Sequence, residues 1–88
     1  MTRPHDRKPL LSPTVEATEL VVILERFLGP HTARNAVRTF SRRALGQAAD
    51  RFERAEAELV LAAMRPMLRT LLGTAAEPLM TLLRETLP

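Results

Sequence analysis

Residues 29–46, Gly29-Pro30-His31-Thr32-Ala33-Arg34-Asn35-Ala36-Val37-Arg38-Thr39-Phe40-Ser41-Arg42-Arg43-Ala44-Leu45-Gly46, decide the fold class. The Gly-Pro step opens a helix, because proline in the first turn sacrifices no helical hydrogen bond. The second glycine closes it. Between them Ala33, Ala36, Val37, Phe40 and Ala44 recur at spacings of three and four, the period of one helix face. Arg34, Arg38 and Arg42 recur every four residues on a different face, with His31 about one turn before them and Arg43 alongside. The segment contains no acid. Like charges at that spacing destabilise a helix by themselves, so the stripe reads in three ways. It is a solvated face partly neutralised by Glu16, Glu19 and Glu25, a surface for an acidic protein, or a surface for a phosphate backbone.

Punctuation extends this reading outward. Ser12-Pro13 reads as an N-cap followed by proline at the first helical position, starting a helix that runs to Leu28. Its middle, Leu20-Val21-Val22-Ile23-Leu24, is apolar on all sides and predicts a fully buried helix. A second helix is expected over Thr32–Leu45. Asp50 and Glu53 have the spacing of a capping box and open a third, carrying Phe52, Leu59, Val60, Ala63 and Met64. Pro66 predicts a kink or short break near residues 62–65, since an interior proline removes a hydrogen bond and costs about 3 kcal/mol. Thr74 and Glu77 repeat the capping-box spacing before a fourth helix, Glu77–Leu87, with Leu79, Leu82, Leu83 and Leu87 inward.

The expectation is therefore an all-α fold: a compact bundle of about four helices, the third kinked at a proline. Residues 1–11, with Arg3, Arg7, Lys8 and two prolines, read as a flexible basic tail, and residues 12–88 as a single helical domain. No internal repeat stands out.

Composition narrows the chemistry. There is no cysteine, so neither a disulfide nor a thiolate metal site is available. His31 and His5 stand without neighbours at ligand spacing, and no Gly-rich loop is present to cradle phosphates. Ser41 sits mid-helix rather than on the strained elbow a nucleophilic serine needs. These features argue against an enzyme and against any metal, cofactor or small-molecule substrate. The N-terminus lacks the apolar core of a signal peptide, and Leu20–Leu24 is too short to span a bilayer, so a cytoplasmic protein without a membrane role is expected.

Apolar residues make up 45% of the 88, yet the only aromatics are Phe27, Phe40 and Phe52. A chain this small, without staples, commonly completes its burial by association. Val22, Ile23, Phe27, Leu59, Met67 and Leu71 are the candidates for a hydrophobic interface, and Arg34, Arg38, Arg42, Arg43 and His31 for an anion- or partner-binding face. The reading is a non-catalytic regulatory module that self-associates, as a homo-oligomer, or docks on a protein partner. The alternative is a small nucleic-acid-binding regulator using the basic helix 30–46. A net charge of +3 and the absence of Trp and Tyr to stack on bases weigh against it.

Two stretches carry resemblances. Met64-Arg65-Pro66-Met67-Leu68-Arg69, Leu71-Leu72, Pro78-Leu79-Met80 and Leu83-Arg84-Glu85, within residues 59–85, resemble the C-terminal self-assembly region of alphaproteobacterial polar organising proteins. The pattern departs where that family has a tryptophan and an Asp-Asn-Leu-Pro turn; here stand Leu71 and residues 73–77. Its acidic, proline-rich linker is also missing. Phe27-Leu28-Gly29-Pro30, with Ala33, Ala36-Val37 and Arg42-Arg43, is similar to small helical segments attached to bacterial serine/threonine kinases and related signalling proteins. Both resemblances imply a bacterial, non-catalytic, protein-binding role.

Overall fold

In the computed structural model, which describes residues 13–88, each of the three glycines marks the end of a helix. Gly46 closes its helix in the left-handed region at φ 84°, and its N–H donates to the Arg42 carbonyl at 2.8 Å. That conformation costs a β-carbon-bearing residue about 1 kcal/mol or more, which is why glycine stands there. Helix α1 spans Ala17–Leu28, α2 Pro30–Leu45, α3 Arg54–Leu72 and α4 Ala76–Thr86, with a single 3-10 turn, Gly73–Ala75, between the last two. The chain is mostly helical, but it is not a plain four-helix bundle. Two short strands, β1 (Thr14–Glu16) and β2 (Arg51–Glu53), pair antiparallel with Val15 opposite Phe52.

The strands correct three sequence expectations. The first helix starts at Ala17, not after Ser12-Pro13, because Thr14–Glu16 is extended and pinned to β2; Ser12 itself lies outside the described residues. Asp50 does not cap α3. Its carbonyl accepts from Ala17 N–H at 2.8 Å, and the cap moves to Glu53, whose N–H donates to Glu56 Oε1 at 2.9 Å. Phe52 belongs to β2, not to a helix, and is wholly buried. The tail predicted over residues 1–11 also lies outside the described residues.

A repeat absent from the sequence reading emerges here. Each half of the chain runs strand, helix, glycine, helix. Each strand buries its middle residue, Val15 or Phe52. Each first helix opens with a glutamate capping box, Glu16 with Glu19 and Glu53 with Glu56. The shared pattern is only an apolar residue, then Glu-x-x-Glu, too brief to register as a repeat before the pairing of Val15 with Phe52 is seen.

The core forms where the two halves meet. α1 packs on α2 and α4, and α3 packs on α2 and α4. Leu20 and Leu24 of α1, Val60, Leu61, Met64 and Leu68 of α3, and Leu79 and Leu83 of α4 are buried, beside Ala33, Ala36, Val37 and Phe40 of α2. The apolar face read for α2 is therefore borne out. The all-round burial read for α1 is not, since Val22 is 52% exposed on the side away from Leu20 and Leu24. Leu82, expected inside, is 41% exposed.

α3 continues unbroken through Pro66, so the expected short break is absent. Pro66 leaves the Ala62 carbonyl without its helical donor, and because both residues are exposed, water can serve that oxygen. Thr74 and Glu77 do not form a capping box. The turn runs directly into α4 at Ala76, and Glu77 is engaged by Arg65 and Arg69 of α3 at 2.8 and 3.1 Å. α4 thereby doubles back along α3, and Arg54 reaches the Pro88 carbonyl at 3.2 Å.

Candidate functional site

α2 presents its arginines as the spacing demands. With Ala33, Val37 and Phe40 facing the core, Arg34, Arg38 and Arg42 are left exposed. Arg43 is exposed too, its guanidinium 5.1 Å from the centroid of the Phe40 ring, a cation–π arrangement. The last two arginines also lie in the final turn of α2, where the helix dipole favours positive charge.

Two of the three acids that could have neutralised the stripe, Glu16 and Glu19, are engaged elsewhere. Glu16 pairs with Arg51 at 2.7 Å, and Glu19 Oε2 accepts from the Glu16 N–H at 2.9 Å. Among the described residues, the ion pairs join Arg51, Arg54, Arg65 and Arg69 to acids, and none involves Arg34, Arg38, Arg42 or Arg43. Arg34 and Arg38 border a crevice of about 140 Å³ shared with Thr18, Val21, Val37 and Asp50.

His31 is exposed at the start of α2, its Nε2 3.2 Å from the side-chain amide nitrogen of Asn35, one turn on. Ser41 is fully buried, and its hydroxyl donates to the Arg38 carbonyl at 3.1 Å, an ordinary helix back-bond that satisfies it.

The six apolar interface candidates divide by helix. Val22 and Phe27 on α1 are 52% and 37% exposed, with Ile23 half-buried between them. On α3, Leu59 and Leu71 are each 55% exposed and Met67 is half-buried. α1 and α3 make little direct contact with each other, so the two trios are not packed together. Met67 and Leu71 are instead joined by Ala36 and Phe40 of α2, flooring an open apolar groove of about 210 Å³ edged by Thr32, Asn35 and Thr39.

Sequence reasoning had Met67 and Leu71 but missed the groove's other wall. It placed Phe40 and Ala36 on the apolar face of their helix, but periodicity names a face without saying where its edge opens into a groove. Glu77 was also missed as an ion-pair centre. The Arg65 and Arg69 hydrogen bonds hold its carboxyl below the usual value of 4.5, against a smaller opposing effect of burial. This network staples the α3–α4 turn and is half-exposed, so its contribution is modest.

No known protein family matches this chain, and no match emerges among curated proteins or solved structures.

Proposed function

We propose that this protein is a non-catalytic regulatory module that acts by self-association or by docking on a protein partner. The observation that carries the reading is the set of large apolar side chains left uncovered by a folded core: Val22, Phe27, Leu59, Leu71 and Leu82, all between 37% and 55% exposed. Scattered apolar residues are ordinary on a surface, but here Leu71 extends a groove floored by Phe40 and Met67. A bend at Pro66 would curve that surface toward a partner. The arginines on the neighbouring face of α2 would select an acidic partner and speed encounter more than add affinity.

Arg38→Glu therefore weakens partner retention on an immobilised full chain while leaving the helical circular-dichroism spectrum intact. Equal retention by wild type and variant removes the stripe from the mechanism. The exposed arginines, unpaired with acids among the described residues, also favour a second reading, nucleic-acid binding through phosphates. That reading requires binding that weakens steeply with salt, each of Arg34, Arg38 and Arg42 contributing about one unit of slope. A flat salt response refutes it.

A further inference from the structure

The groove between α2 and α3 has an apolar floor and a rim that leads to charge of one sign. Ala36 and Phe40 wall it on the α2 side, Met67 and Leu71 on the α3 side. Thr32, Asn35 and Thr39 edge it about one turn apart. Arg42 and Arg43 follow Thr39 by three and four residues, so both project from the next turn on that side of α2. Arg43 stands at the groove itself, its guanidinium 5.1 Å from the centroid of the Phe40 ring. Neither arginine has an acidic partner among the described residues. Glu56 shares the α3 face of Met67 but lies about 16 Å before it along the axis, and its carboxylate accepts from the Glu53 N–H.

Resting on the interaction-module reading, we propose that this groove seats an acidic helical segment of a partner protein. One bulky apolar side chain of that segment sits among Phe40, Met67 and Leu71, and a carboxylate one turn away pairs with Arg43. Size argues for a side chain of a larger molecule. The groove is open and about 210 Å³, below the roughly 300–1,000 Å³ of pockets that enclose a small molecule. Shape argues for a helix. Two flanking helices offer no sheet edge to an extended strand, whereas a helix laid between them points one residue at the floor and another, three or four on, at the rim.

Charge fixes the sign. α2 holds four arginines and no acid, so an acidic occupant gains pairs and a basic one is repelled. A nucleic acid does not suit the groove, because Phe40 is only 8% exposed and has no free face on which a base could stack. The pairing is assigned to the C-terminal end of α2 rather than to its whole stripe. Arg34 borders the crevice shared with Thr18 and Val21 of α1, on the other side of α2. It lies about 13.5 Å along the axis from Arg43, beyond the roughly 8 Å screening length at physiological salt.

The test selects a displayed library of helical peptides on the immobilised full chain and measures the enriched peptides by fluorescence anisotropy. Enriched sequences carry Leu, Met or an aromatic residue with Asp or Glu three or four positions away. Leu71→Glu and Arg43→Glu each weaken the best peptide about tenfold or more, and Arg34→Glu by less than about twofold. Leu71 and Arg43 are both exposed, so circular dichroism of these variants matches wild type. Replacing the peptide's acid by lysine restores binding to Arg43→Glu, a rescue that loss of folding cannot mimic. No enrichment, enrichment of basic or uncharged peptides, or equal weakening by Arg34→Glu and Arg43→Glu overturns the proposal. So does self-association in sedimentation equilibrium that Leu71→Glu abolishes, which gives the groove to a second copy. After any of these results the interaction-module reading stands if the chain self-associates or binds a peptide of any charge. A chain that stays monomeric and enriches no peptide fails both.

Discussion

The three phenylalanines form a graded series that tests the placement of the core. Phe52 is fully buried in β2, Phe40 is 8% exposed over the α2–α3 groove, and Phe27 is 37% exposed at the end of α1. Truncation to alanine removes the transfer free energy of the ring and leaves a cavity whose cost depends on how completely the site is enclosed. Phe52→Ala is expected to cost about 3–5 kcal/mol. Phe40→Ala should cost about 2–3 kcal/mol, since one side of its site can collapse or hydrate. Phe27→Ala should cost under about 1.5 kcal/mol, because over a third of the residue is already in water. A domain of this size has roughly 4–12 kcal/mol to lose, so Phe52→Ala brings it close to unfolding.

The assay is urea denaturation followed by circular dichroism, because the chain has neither Trp nor Tyr for fluorescence. With a slope near 1 kcal/mol per molar urea, the Phe52→Ala midpoint falls by about 3 M or more and that of Phe27→Ala by about 1 M. Equal losses for the two variants would refute the burial argument. So would a Phe52→Ala cost below about 1 kcal/mol, which would mean that the β1–β2 ribbon does not clamp the two helical halves together.

Two further perturbations address the punctuation and the turn. Gly46→Ala forces a β-carbon into φ 84°, and although space is open around it, a loss of about 1 kcal/mol is expected in the same denaturation assay. An unchanged midpoint would mean that α2 ends differently. Glu77 has its folded-state pKa depressed, chiefly by the Arg65 hydrogen bond, so its stabilising effect is present above the ordinary 4.5 and is lost as pH falls through the lower folded value. Melting temperature should therefore decline slightly on acidification from the ordinary value through the folded one. Glu77→Gln should flatten that part of the profile; an identical profile in the variant would remove the Arg65–Glu77–Arg69 network from the stability of the turn.

Most of the helical framework was legible in the sequence because its signals are local. Gly46 after Leu45, Gly29-Pro30 between two apolar-periodic segments, and Ala33, Ala36, Val37 and Phe40 at helical spacing each act within a turn or two of chain. The exposed arginine face followed from the same periodicity. The ribbon was not legible. Val15 and Phe52 are 37 positions apart, three-residue strands have almost no pattern of their own, and the glutamates flanking them read equally well as ordinary helix starts. Nor could the sequence say where Glu77 would point, since its partners lie on another helix.

The sharpest division falls within α3. By itself the sequence indicated a third helix opening near Asp50 and Glu53, expected to kink or break near residues 62–65, whose apolar side chains fall at two interleaved registers. Only the tertiary structure decided between them, turning Val60, Leu61, Met64 and Leu68 inward and leaving Leu59, Met67 and Leu71 at the surface. The reason is that helical periodicity is a property of neighbouring residues. Which face is buried depends on where α2, α4 and the Val15–Phe52 pair dock, and the chain reveals that only once it has folded.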